Sequence, residues 1–113
     1  MNPNQLRGQV IGGVVQGVGY ALQENMVYND AGAVINPTLR NYRIPTFADA
    51  PVTEVFFADT FDAIGPLGSK SIAENTINPV APAIGNALKA ATGVRFTALP
   101  FSEDRIFSKL TNA

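Results

Sequence analysis

Chemical interest in this chain centres on one carboxylate. Glu74 is the only Asp or Glu between Asp62 and Glu103, and it lies in Ile72-Ala73-Glu74-Asn75-Thr76-Ile77 among small and apolar neighbours. Composition alone makes it a solvated loop residue or a surface partner of Lys70, because most glutamates are exposed and inert. The alternative has a mechanism: a carboxylate in a partly desolvated pocket becomes a usable general base near neutral pH. Other familiar routes are closed within this chain. It has no cysteine and no histidine, which removes thiolate and imidazole metal ligands, a zinc site and a Ser-His-Asp triad.

Glycine-rich stretches suggest phosphate chemistry but have the wrong spacing. Gly17-Val18-Gly19 is followed by Leu22 where a dinucleotide turn needs glycine, and no strand precedes it. Gly65-Pro66-Leu67-Gly68-Ser69-Lys70-Ser71 places Ser69 where a phosphate-binding loop has glycine directly before lysine. The helix that should open at Ser71 is also interrupted by Asn75 and Pro79.

The elements that must position Glu74 make up an α+β pattern. Val10, Ile11, Val14, Val15, Val18, Ala21 and Leu22 recur at helical spacing and predict a helix over residues 4 to 24, with Asn2 or Asn4 as its cap and Pro3 in its first turn. Its other face carries Gly8, Gly12, Gly13, Gln16, Gly17 and Tyr20. Each interior glycine costs about 0.5–1 kcal/mol relative to alanine, so that face implies close approach of another backbone or of a ligand. Residues 26 to 35 read as a β-hairpin around Asn29-Asp30-Ala31-Gly32, and Val52 to Asp59 alternates as a strand. Thr60 to Asn78 is expected as a long ordered loop. A second helix follows, with Asn78 as cap and Gly93 as stop, then a strand over Val94 to Leu99 and a short helix begun by Ser102.

A chain of 113 residues suits one domain rather than two. Charged residues make up only 15%, well below the usual ~25%, which implies that much of the surface is meant to be covered. The net charge of −1 and scattered Lys and Arg argue against nucleic acid and anionic membrane partners. With no visible signal peptide, and no apolar run near the ~20 residues a bilayer requires, the expected location is cytoplasmic.

Three ordered blocks then carry a resemblance over nearly the whole chain. Gly8-Gln9-Val10 with Gly12-Gly13 and Gln16-Gly17-Val18-Gly19-Tyr20-Ala21-Leu22 resembles the glycine-rich helix late in the molybdopterin-binding subunit of the xanthine dehydrogenase and aldehyde oxidase family. Asn41-Tyr42-Arg43-Ile44-Pro45-Thr46 resembles the connection that follows it. Gly65 to Glu74, with Pro79-Val80-Ala81-Pro82-Ala83-Ile84 and Ala91-Thr92-Gly93-Val94-Arg95, is similar to the family's active-site loop and the helix behind it.

The resemblance implies a single partial domain over residues 1–113, the C-terminal part of a molybdenum cofactor-binding domain. It also implies an oxidoreductase that hydroxylates a purine, another N-heterocycle or an aldehyde with oxygen from water. Glu74 takes the place of the general base, Gln9 that of a glutamine bonded to the pterin, and Lys70, Ser71, Ile72 and Ala73 that of backbone beside the cofactor. No metal ligand is expected here, and no cofactor on this chain alone. Iron-sulfur clusters and FAD belong on other domains or subunits. The implied partners are the rest of the molybdenum subunit and the iron-sulfur and flavin subunits, with a homo-oligomer also open. Many members have glycine where this chain has Ser71 and Ala73, a departure that leaves the substrate open. The competing expectation is a non-catalytic interaction or assembly module that retains the fold.

Overall fold

A computed structural model describes residues 1–72 and 74–112. Three helices organise it: α1 (Pro3–Leu22), α2 (Val80–Thr92) and α3 (Glu103–Thr111). Asn2 caps α1, its Oδ1 accepting from the Asn4 and Gln5 amides at 3.0 and 3.3 Å, and Pro3 occupies the first turn, where an N–H would lack a helical partner. The helix stops short of the expected residue 24 because the amides of Gln23 and Glu24 both turn back to the Gly19 carbonyl. Gly93 ends α2 at φ 76°, a left-handed geometry suited to glycine, with its N–H on the Lys89 carbonyl. Ser102 caps α3 as expected, and Glu103 and Asp104 in the first turn face the positive end of the helix dipole. The Asn78 cap is not observed: α2 starts after Pro79, and the Val80 amide bonds the Ile77 carbonyl.

The β half of the expectation needs correction. Among the described residues the only β pairing is an isolated antiparallel bridge between Tyr28 and Val34, so the hairpin shrinks to one bridge around Gly32 at φ 78°. Val52 to Asp59 and Val94 to Leu99 are irregular. Alternation favours an extended backbone, but a strand also needs a neighbour to receive its hydrogen bonds. The second of these segments spends its bonding capacity elsewhere. Lys109 Nζ donates to the Arg95 carbonyl at 2.7 Å, and the Arg105 guanidinium donates to the Leu99 carbonyl. The expected long loop is ordered by short 3₁₀ turns at Pro66–Gly68 and Glu74–Thr76.

The interior is small. Ala21, Val55, Phe96 and Phe101 are its buried hydrophobic residues, with the Phe96 and Phe101 rings edge to face at 6.3 Å. By contrast Phe47, Val52, Phe56, Phe61, Ile64 and Leu67 stand open. The accessible surface is 8446 Å², against about 6,000 Å² expected for a folded monomer of this mass. The radius of gyration is 17.5 Å, where about 13 Å is usual near this length.

Candidate functional site

The glycines of α1 divide into covered and open positions. A Cβ at Gly13 would stand 1.7 Å from Thr76 Oγ1 and 2.8 Å from Thr76 Cβ, and one at Gly17 would stand 2.5 Å from Val80 Cβ. These positions are where α1 receives the turn containing Glu74 and the start of α2. Gly19 is likewise filled, by Glu24 and Pro45. Gly8 and Gly12 have nothing within 4 Å of the same constructed atom. The glycine-rich side is therefore two surfaces, one packed within the chain and one bare around Gln9.

The loop before Glu74 is built from local bonds. Asp62 Oδ1 accepts from the Ile64 and Gly65 amides at 2.8 and 3.2 Å, while the Asp62 amide donates to the Gly68 carbonyl at 3.0 Å. Leu67 and Gly68 follow at φ 54° and 75°, and the Phe61 ring fills the space beside Gly68. The Asn75 amide Nδ2 donates to the Ser71 carbonyl at 2.9 Å, drawing together the two sides of the bend. Thr76 then seats against Gly13. Composition did not single out Asp62, Asn75 or Thr76. An Asp three residues before a glycine is a local turn signal, but the Thr76 contact is tertiary and leaves none.

Lys70, Ser71 and Ile72 line a cavity of about 660 Å³ together with Leu6, Val10 and Val55. Gln9, exposed on α1, lines an adjoining depression of about 560 Å³ that shares Met1 and Leu6 with the larger one. Glu74 lines neither space and is exposed. Ala73 lies outside the described residues. The structure thus joins Lys70, Ser71 and Ile72 in one cavity, sets Gln9 beside it, and leaves Glu74 in the chain between the cavity-lining Ile72 and Asn75. Among the described residues no group of acidic side chains is placed to hold a metal ion. Contact with a cofactor would rest on amide, hydroxyl, ammonium and backbone groups.

The connection after the Tyr28–Val34 bridge is pinned to the end of α1. Tyr42 donates its hydroxyl to Glu24 Oε2 at 2.6 Å. That bond, then partial burial and the carboxylate's charge, raise the phenol above its ordinary pKa. Asp49 Oδ2 accepts from the Thr46 amide and hydroxyl, each at 2.7 Å, and these bonds, with a further one from Gln23, hold its carboxyl below the usual range against a small opposing effect of burial. No helix among the described residues is long and apolar enough to cross a membrane.

The chain is similar to molybdenum-binding subunits of known enzymes. Residues 1–51 match a family described as the molybdopterin cofactor-binding domain. The chain is 41% identical over 110 residues to the xanthine dehydrogenase molybdenum-binding subunit of Escherichia coli O157:H7, a match covering 96% of this chain and 15% of that protein. It is 38% identical over 112 residues to the aldehyde oxidoreductase molybdenum-binding subunit of Escherichia coli strain K12, covering 97% and 15%. The crystal structure of quinoline 2-oxidoreductase from Pseudomonas putida 86 superposes with a TM-score of 0.85 at 31% identity, over 97% of this chain and 14% of that one. The chain spans about 15% of the length of the curated relatives it matches.

Proposed function

Since this chain is homologous to a segment of the molybdenum-binding subunits of xanthine dehydrogenase and aldehyde oxidoreductase type enzymes, we propose that it is one part of a molybdenum hydroxylase, the C-terminal part of the cofactor-binding domain, and that it contributes the general base Glu74. The observation that supports this most directly is spatial. The loop Lys70-Ser71-Ile72 and the N-terminal half of α1 enclose one cavity, and the Glu74 turn is seated on that same helix.

The chain's own groups fit a pterin-type cofactor in two respects. Gly8 and Gly12 flank Gln9 with open space where side chains would stand, so a ligand can reach the helix surface and meet the Gln9 amide. Lys70 and Ser71 offer an ammonium and a hydroxyl along the adjoining cavity, and the described backbone from Lys70 to Ile72 would stand beside the cofactor in this reading. When bound, the cofactor would supply the two-electron oxidation, taking up the electron pair of the C–H bond that breaks at the substrate carbon. Glu74 accepts the proton of the water-derived oxygen as that oxygen attacks an electron-poor carbon of a purine, another N-heterocycle or an aldehyde. A carboxylate open to solvent exchanges protons with bulk water, and Glu74 is exposed in this chain. The rest of the subunit must cover it, so the isolated chain is inactive. Iron-sulfur and flavin subunits carry electrons away in this scheme, and the setting is cytoplasmic.

The test is reconstitution. Co-expression of this chain with the remainder of the subunit gives a complex that contains molybdenum and oxidises a purine or aldehyde. Glu74→Gln, which keeps the shape and loses the base, lowers turnover by about 10²–10⁴-fold with metal content unchanged. Full turnover in that variant refutes the base. Metal-free assembly without turnover in the unaltered complex supports a non-catalytic module instead.

A further inference from the structure

The fit between Gly13 and Thr76 bears on how Glu74 is held. Glu74–Thr76 is a single 3₁₀ turn, so moving Thr76 moves the carboxylate two residues before it. Thr76 occupies the volume that a side chain at position 13 would need, with its Oγ1 1.7 Å and its Cβ 2.8 Å from a constructed Gly13 Cβ. Ordinary contact begins near 3.4 Å. The next atom, the Ile77 amide nitrogen, is already at 3.6 Å and needs no shift. The obstruction is therefore the Thr76 side chain alone. Behind the turn, the Asn75–Ser71 bond ties it to the cavity loop, and the Ile77 amide closes it on the Glu74 carbonyl at 3.2 Å. A displacement at Thr76 is therefore passed through these two bonds to the turn that carries Glu74.

We infer that Gly13 is a positioning residue for Glu74: its missing side chain lets Thr76 sink against α1, and that depth fixes where the carboxylate stands. The inference rests on the reading of Glu74 as base. Gly13 touches neither substrate nor cofactor in this scheme and acts through Thr76.

The experiment uses the complex of this chain with the remainder of the subunit and compares Gly13→Ala, Thr76→Gly and the double variant. Gly13→Ala lifts the turn and lowers kcat by ~10–100-fold, the range expected of ångström-scale misplacement, with KM and molybdenum content within about twofold, because the helix face toward Gln9 is unaltered. The double variant recovers kcat to within about threefold, since removing the Thr76 side chain clears both short contacts. Hydrogen exchange at the Thr76 and Ile77 amides rises in Gly13→Ala and falls back in the double variant, an outcome independent of turnover. If Gly13→Ala does not assemble, the double variant carries the test by restoring assembly together with kcat. Unchanged kcat in Gly13→Ala overturns the inference, as does a double variant no better than Gly13→Ala while Thr76→Gly is active. A Glu74→Gln complex at full turnover would instead sink the base assignment, whatever exchange at Thr76 shows.

Discussion

Glycines on α1 that look alike in sequence should respond to alanine with opposite signs. In a helix interior, glycine to alanine is worth about 0.5–1 kcal/mol of stabilisation through reduced backbone freedom. At Gly12 that gain is unopposed, because nothing lies within 4 Å of the new carbon. At Gly17 the new carbon meets Val80 Cβ, Cγ2 and Cγ1 at 2.5, 2.6 and 2.9 Å. Overpacking of this kind costs roughly 1–3 kcal/mol. Deducting the helix gain leaves a net loss of up to about 2.5 kcal/mol, concentrated where α1 meets α2. Native-state hydrogen exchange on the full chain reads this directly, because opening free energies of α1 amides do not require the whole chain to unfold in one step. Protection along α1 rises in Gly12→Ala and falls in Gly17→Ala. Lower protection in Gly12→Ala, or higher protection in Gly17→Ala, refutes the division into bare and packed surfaces. In the assembled enzyme the Gly12 sign should reverse, since there the bare face receives the cofactor or a neighbouring segment.

Three further outcomes concern the connection and the small core. Asp49 has a lowered carboxyl pKa in the folded chain, so its contribution to stability is present above the ordinary value of 3.8 and is lost as pH falls through the folded value. The advantage of the native chain over Asp49→Asn should shrink on acidification. Tyr42 is raised above 10.0; its contribution is present below that pH and lost as pH rises through the folded value. Equilibrium unfolding of Tyr42→Phe should therefore converge with the native chain in alkali. Phe101 is buried, packs its ring edge to face with Phe96 at 6.3 Å and lies 3.2 Å from a constructed Cβ at Gly85. Phe101→Ala should cost about 3 kcal/mol in protection of α3 and the end of α1. A loss under about 1 kcal/mol would show that this pair does not anchor the C-terminal region.

Three helix ends are legible in the sequence because their signals are local. Asn2 before Pro3, Gly93 after the last apolar turn, and Ser102 before Glu103 and Asp104 each act on backbone groups within a few residues. Strands were misread for the converse reason. Val52 to Asp59 has the period-two alternation of a strand, yet pairing depends on a partner that the alternation does not supply. Val55 alone turns inward there, while Val52 and Phe56 stand open. The glycine-rich side of α1 was correctly read as a place of close approach, but sequence could not say that Gly13 and Gly17 meet Thr76 and Val80 while Gly8 and Gly12 meet nothing. The candidate site shows the same limit. Composition left Glu74 as an ordinary surface carboxylate, and resemblance on both sides of it supplied its proposed role.

Glu74 and the open hydrophobic surface are consequences of one geometry. Phe47, Val52, Phe56, Phe61, Ile64 and Leu67 are exposed along the connection and the loop that lead to the Glu74 turn. So many exposed large hydrophobic side chains suit a surface meant to be covered, and charged residues make up only 15% of the chain. Covering those side chains would supply apolar burial at roughly 25 cal/mol per Å², which the small interior of Ala21, Val55, Phe96 and Phe101 does not provide. The same cover would exclude water from the bend that holds Glu74. In this reading, folding stability and a working base arrive together when the neighbouring part docks. A complex that gains stability while Glu74 stays freely open to solvent would separate the two.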